Sequence, residues 1–321
     1  MRILVTGGSG FVGSHLCERL IHEGHQVTAL DLGSTGKATN LENLSTNPNF
    51  KLVQGSILDK EILEPLIAGN EYIFHAAAAV GVFNIVKDTL ASMITNIQGT
   101  EYVLGLAQKH HKPVFITSSS EIYGKNTSDS LSEDSDRILG SPLTLRWSYS
   151  ESKAIVESLA YAYHVEKGSE IRIVRFFNAV GPRQLGSFGM VLPRFVKAAL
   201  TNQPLTIYGG GIQTRCFTHI YDVIDAVMLV AFSETTNGKV LNIGNPVETS
   251  IRELAERVIQ GTNSLSKIVY LPYQEAYGDG FEDMQRRVPN IGAINKLLGW
   301  TPKHNLDAII RDIASEMQKS L

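Results

Sequence analysis

The 321-residue sequence predicts an α/β fold: a doubly wound parallel sheet with a smaller α/β lobe after it. Three observations carry that reading. Short β-branched runs alternate with helical patterns through the first half, the mark of βαβ units. A glycine-rich turn, Gly7-Gly8-Ser9-Gly10-Phe11-Val12-Gly13, separates the first strand from the first helix. After Gly181-Pro182-Arg183 the rhythm loosens into short mixed elements. Composition agrees: 43% hydrophobic and 19% charged residues suit a soluble globular chain with ample core. A net charge of −3 gives no basic footprint for nucleic acid. The longest apolar stretch, residues 72–83, contains His75 and falls short of the roughly 20 residues of a membrane span. No basic n-region and cleavage site follows Met1-Arg2, and two cysteines, Cys17 and Cys216, cannot form a disulfide framework. A reducing cytoplasm is the expected home.

Taken in order, residues 2–6 read as a strand and 11–23 as a helix with Val12, Leu16, Leu20 and Ile21 on one face, closed by Gly24. Residues 26–31 form the second strand, and 51–55, 72–76 and 114–118 read as further buried strands, with a helix near 93–110. A stretch at 126–137 reads as a solvated loop. A long helix runs from Tyr149 to about Gly168, then a strand at 172–176. Beyond 180, helical patterns cover 191–201 and 223–232, an amphipathic stretch covers 250–259, and an arginine-rich segment follows at 281–289. Residues 1–180 are expected to form one domain and 181–321 mainly a second, with the chain crossing back into the first.

The glycine turn has GxxGxxG spacing. Glycines there permit a tight turn and let backbone approach a pyrophosphate, whose charge sits at the positive helix N-terminus. Asp31 ends the next strand, where it can accept from a ribose 2′-hydroxyl and would repel a 2′-phosphate, so NAD is favoured over NADP. Tyr149 and Lys153 stand at i and i+4 on one helical face, where an ammonium can stabilise a phenolate and draw its pKa down from about 10. Alone the pair is a common helix motif. It gains weight from Thr117-Ser118-Ser119-Ser120-Glu121-Ile122-Tyr123-Gly124 at a strand end, where parallel sheets open their ligand crevice. No metal site is expected: HExxH is absent, and His110 and His111 are adjacent.

With these features the chain resembles the extended short-chain dehydrogenase/reductases that act on nucleotide sugars. The resemblance extends through Phe74-His75-Ala76-Ala77-Ala78, Asn96-Ile97-Gln98-Gly99-Thr100, Arg175-Phe176-Phe177-Asn178, Gly181-Pro182-Arg183-Gln184, the stretch from Tyr208 to Arg215, and Leu241-Asn242-Ile243-Gly244. It implies a Rossmann domain holding NAD and a C-terminal lobe holding a nucleoside-diphosphate sugar. The cofactor would meet Gly7, Gly10, Phe11, Val12 and Gly13 at the turn, and Asp31, Ser56 and Ile57 beyond it. Ala76, Asn96, Tyr149 and Lys153 would complete that site. Ser56 departs from the family, where Asp is frequent. Ser119 would hydrogen-bond the reacting hydroxyl, Tyr149 would take the sugar 4-OH proton, and Lys153 would bind the nicotinamide ribose and tune the tyrosine. Ser120, Asn178, Val191, Arg194, Tyr208 and Arg215 match substrate positions. A homodimer is implied as well, packing the 93–110 and Tyr149 helices through Ile155, Leu159, Ala160 and Tyr163.

All such enzymes begin by making a 4-keto sugar. Ser120-Glu121 replaces the Asp-Glu of 4,6-dehydratases, which disfavours dehydration, and Glu121 is untypical of simple 4-epimerases. Glu121, Arg146-Trp147-Ser148-Tyr149 and the segment from Tyr277 to Pro289 look like UDP-glucuronate decarboxylases. There the carboxylate would manage the proton at C5, and Arg287 would orient the substrate carboxylate and help hold the enolate. Arg286 and Arg287 could instead serve phosphate or a surface contact, Arg286 more readily, and Glu121 could instead pair with an arginine such as Arg146. Residues 80–85 lack the proline-rich turn of decarboxylases. Decarboxylation of UDP-glucuronate is the leading expectation. The alternatives are 4-epimerisation of a UDP-hexose or UDP-uronate and, more remotely, a non-catalytic NAD-binding regulator.

Overall fold

Strand β1 (Arg2–Thr6) is buried beyond Arg2 and pairs in parallel with β2 (Gln26–Asp31) on one side and β4 (Tyr72–His75) on the other. It is therefore the middle of a sheet, and its unbroken Ile-Leu-Val run suits a strand covered on both faces. The structure is a computed structural model that describes residues 1–34, 36–81, 87–186, 189–277 and 284–319. With β3 (Phe50–Gln54), β5 (Val114–Ser119), β6 (Ile171–Phe176) and β11 (Val240–Ile243), seven strands take the order β11-β6-β5-β4-β1-β2-β3, and every pairing is parallel. The winding reverses between β1 and β4, so a crevice opens at the carboxyl ends of those strands.

Helices cover both faces. On one, α1 (Phe11–His22) buries Leu16 and Leu20 beside Val223 and Val227 of α6 (Ile220–Ala231). On the other, α2 (Lys60–Gly69), α3 (Thr89–Lys109) and α4 (Ser148–Lys167) bury Leu63, Val103, Leu104, Val156 and Ala160. Thus α6 and β11, both after residue 181, pack into the first sheet. Gly168, at φ 67°, closes α4 in the left-handed conformation. A buried ion pair ties α4 to β6: Arg175 meets both oxygens of Glu157, at 2.7 Å in the shortest contact, and donates to the Tyr123 hydroxyl.

The remaining elements form a smaller layer. Helices α5 (Val191–Leu200), α7 (Ile251–Gly261) and α10 (Leu306–Gln318) share a core of Leu192, Phe195, Leu254, Val258, Ile309 and Ile313. Three two-stranded pairings edge it: β7 (Ala179–Val180) with β10 (Thr218–His219), β8 (Leu205–Tyr208) with β13 (Ile268–Leu271), and β9 (Thr214–Cys216) with β12 (Glu248–Ser250). Two short helices, α8 (Tyr273–Tyr277) and α9 (Gly292–Leu298), complete the chain order.

One difference from the sequence reading bears on the site. The 126–137 stretch is not simply solvated. Leu131 is 1% exposed, packs with Ile122, Tyr123 and Phe177, and bridges Pro289, so this loop braces the segment carrying the arginines. Residues 82–86 and 278–283, which fall in the expected substrate loop and in the first half of the decarboxylase-like segment, lie outside the described residues.

Candidate active site

Gly7 has φ 72°, and its N–H donates to the Leu30 carbonyl at 2.8 Å, which folds the turn back over β2. A Cβ at Gly13 would collide with the Gly7 carbonyl, and one at Gly7 would meet the Ala77 backbone. Gly10 caps α1 without a side chain, so the first-turn N–H groups point into the cleft. Asp31 is fixed at the end of β2: its carboxylate accepts from Ser9 N at 2.9 Å and from Gly33 N at 2.7 Å. Carboxylate lone pairs remain for ribose hydroxyls. This backbone cradle, closed to a Cβ at Gly7 and Gly13, fits a dinucleotide. Phe11, Val12, Ser56, Ile57 and Ala76 line the same cleft. Asn96 does not line it. It is 2% exposed and accepts from Ala79 N at 2.7 Å while facing Ser152 Oγ at 3.3 Å, so it braces the turn after β4 against α4.

Ser119, at the end of β5, meets Tyr149 and Lys153 from the first turns of α4, all on the cleft wall. Lys153 Nζ donates to the Thr117 carbonyl at 2.9 Å, and burial draws its pKa down to about 8. The expected lowering of the Tyr149 pKa is not found. Burial pushes the phenol above its ordinary value and the Glu121 carboxylate adds to this, while a hydrogen bond with Ser119 and the charge of Arg287 act the other way. Lys153 Nζ lies 5.9 Å from the centre of the tyrosine ring and is directed to Thr117 instead.

Glu121 sits between two buried guanidiniums. Arg287 Nη1 stands 2.5 Å from Oε1 and Arg146 Nη1 2.8 Å from Oε2. Burial alone would raise the Glu121 pKa, but the two arginines hold it well below the usual carboxylate range. Glu121 thus makes the pairing with Arg146 and also faces Arg287. Held ionised in this way, it is a poor proton donor, unlike the C5 role expected from sequence. Arg287 also donates to Asn178 Oδ1 at 2.8 Å, and Asn178 in turn donates to the Cys216 carbonyl. The buried Arg287 Nε, Ser118 Oγ and Ser120 Oγ have no hydrogen-bond partner among the described residues. Arg286 points elsewhere: it grips both oxygens of Glu248, with a shortest contact of 2.7 Å.

At the far end, the Arg194 guanidinium lies 4.2 Å from the centre of the Tyr208 ring and donates to the Thr206 carbonyl, with Val191 at the start of α5 beside them. Arg215 donates to the Thr214 carbonyl and faces the same space. One cleft of about 680 Å³ runs from the glycine turn past Tyr149 to Tyr208 and Arg215. Sequence reasoning gave no role to Gln184 and Gln213, which also line it, each with its side-chain amide donating to a backbone carbonyl. Their signal was their place in the Gly181–Gln184 and Tyr208–Arg215 stretches.

The model of the NAD dependent epimerase/dehydratase family matches residues 3–244. The chain is 40% identical to a UDP-N-acetyl-alpha-D-glucosaminuronate decarboxylase of Bacillus cytotoxicus, over 94% of this chain and 92% of that one. It is 35% identical to UDP-glucuronic acid decarboxylase 1 of Xenopus tropicalis, over 94% and 68% respectively. Among solved structures, UDP-glucuronic acid 4-epimerase from Bacillus cereus, in complex with UDP-glucuronic acid and NAD, superposes over the whole of both chains with a TM-score of 0.89 and 28% identity. dTDP-glucose 4,6-dehydratase from Bacillus anthracis, in complex with NAD, gives 0.87 and 26%, over 99% of this chain and 97% of that one. The chain therefore belongs to the NAD dependent epimerase/dehydratase family, with NAD as its cofactor.

Proposed function

We propose that the protein decarboxylates a UDP-hexuronate through a transient 4-keto sugar. The observation that carries this reading is Arg287: a guanidinium with 6% side-chain exposure, on the wall of the cleft that holds Tyr149, with an unpaired Nε. A buried cation there gives a substrate carboxylate a partner that a neutral hexose would leave unused. NAD, which the glycine turn, Asp31, Ser56 and Ile57 would hold, would supply reversible hydride transfer at C4. Tyr149 would take the 4-OH proton as its phenolate, a form that the Ser119 hydrogen bond and the Arg287 charge favour against burial, and Lys153 supplies positive charge beside the cofactor site. Oxidation at C4 makes the uronate a β-keto acid. The C5–C6 bond then breaks, carbon dioxide leaves, and its electron pair passes into an enolate that Arg287 helps to stabilise. Asn178 and Arg215 hold the diphosphate, and Val191, Arg194 and Tyr208 enclose the base.

Two uronates are candidates: UDP-glucuronate and its 2-acetamido analogue, the substrate in the name of the 40% identical relative. Incubation of each with the NAD-loaded protein, followed by mass analysis, is the test. Loss of the mass of carbon dioxide supports the reading. The likeness to UDP-glucuronic acid 4-epimerase favours a second reading, which an unchanged mass with inverted C4 would support. Tyr149→Phe should stop either reaction while nucleotide binding persists. A non-catalytic regulator would turn over neither substrate.

For assembly, the exposed Leu90 and Ile94 of α3 and Ile155 and Tyr161 of α4 support a homodimer through these helices. Ala160, expected at that face, is instead fully buried in the core packed on the sheet. Sedimentation at twice the chain mass would bear this out, and a monomer would refute it. The buried free thiols of Cys17 and Cys216 fit a reducing cytoplasm. Among the described residues no helix is long and apolar enough to cross a membrane.

A further inference from the structure

We propose that Arg146 is a positioning residue that keeps Glu121 paired when Arg287 releases it to take the substrate carboxylate. The inference rests on the decarboxylase reading. Each oxygen of Glu121 has its own guanidinium: Arg287 on Oε1 at 2.5 Å and Arg146 on Oε2 at 2.8 Å. Both arginines are more than nine-tenths buried, and the three charges sum to +1, so the cluster reaches neutrality by admitting one more carboxylate. Arg287 Nε and Ser120 Oγ are buried donors on the cleft wall without partners among the described residues, which marks where that carboxylate is received.

The exchange has an electrostatic problem that Arg146 solves. A buried carboxylate stripped of its partner is strongly disfavoured, because desolvation is no longer offset by an opposite charge. With Arg287 as its one partner, Glu121 would hold that arginine and compete with the substrate. With Arg146 on the other oxygen, Glu121 stays paired and Arg287 can turn toward the substrate. Glu121 then serves as a resident stand-in for the substrate carboxylate. Arg146 touches Glu121 rather than the reacting atoms.

The test uses NAD-loaded protein in a Tyr149→Phe background, so that bound uronate is not consumed, with calorimetric titration of UDP-glucuronate and of UDP-xylose, which carries no carboxylate. Arg146→Gln should weaken the uronate by at least about tenfold and leave UDP-xylose within about twofold. Arg146→Gln combined with Glu121→Gln should restore the uronate to within about threefold, because Arg287 is then released. The double variant removes a charge pair, and it keeps the proposal testable if Arg146→Gln alone does not fold. Equal weakening of both nucleotides, no effect of Arg146→Gln, or failure of the double variant to recover overturns the positioning role. Absence of any preference for the uronate in the Tyr149→Phe parent would instead overturn the decarboxylase reading.

Discussion

At Lys153 the fold and the chemistry oppose each other. The residue is 5% exposed, and its ammonium donates to the Thr117 carbonyl. Burial draws its pKa from 10.5 to about 8, with the Glu157 carboxylate offsetting part of the loss. The native state therefore binds this proton less tightly than the unfolded chain. Between pH 8 and 10.5 the unfolded chain carries more protons, so stability rises with pH across that window. The charged lysine costs the ligand-free protein about 3 kcal/mol at pH 7 and less than about 1 kcal/mol at pH 10. Lys153→Met removes that cost and also a hydrogen bond worth about 1 kcal/mol. The variant should be more stable than the parent by about 2 kcal/mol at pH 7, with the gap closing by pH 10. Urea unfolding of both proteins at the two pH values reads this directly, and turnover should be lost. A variant less stable than the parent at pH 7, or a gap that persists to pH 10, would refute the reasoning.

Gly13→Ala forces a Cβ onto the Gly7 carbonyl, so NAD affinity should fall more than about thirtyfold by fluorescence titration. Arg286→Ala removes a half-exposed grip on Glu248 and should lower stability by no more than about 1 kcal/mol with kcat unchanged. Arg287→Ala should cut kcat/KM on the uronate by more than about 100-fold. Glu157→Gln strands the buried charge of Arg175 and should destabilise the fold by about 3 kcal/mol in thermal or urea unfolding.

Where local chemistry dictates structure, the sequence was readable. Glycines at Gly7, Gly10 and Gly13 allow few alternatives between a strand and a helix. Asp31 and the Tyr149/Lys153 pair follow from strand ends and helical spacing. Helix α2 was not read, because Pro65 interrupts its pattern, although Asp59 caps it with its side chain. The return of β11 to the sheet is a non-local pairing with β6 across more than sixty residues, and no short-range period specifies which strand it joins. The charge logic at Glu121 was half legible. Arg146 stood in the sequence as a possible partner of Glu121 and Arg287 as the group for the substrate carboxylate, but that both hold Glu121 depends on three segments converging. The high pKa of Tyr149 is likewise a property of burial, which i and i+4 spacing cannot report.

Oxidation at C4 followed by loss of the C6 carboxylate is tested most directly by turnover of the UDP-uronate in deuterium oxide, with mass and NMR analysis of the product. The expected product is a UDP-pentose, lighter than the substrate by carbon dioxide and carrying one solvent deuterium at C5. A product of unchanged carbon skeleton with inverted C4, or an unreacted uronate beside an interconverted UDP-hexose, would contradict it.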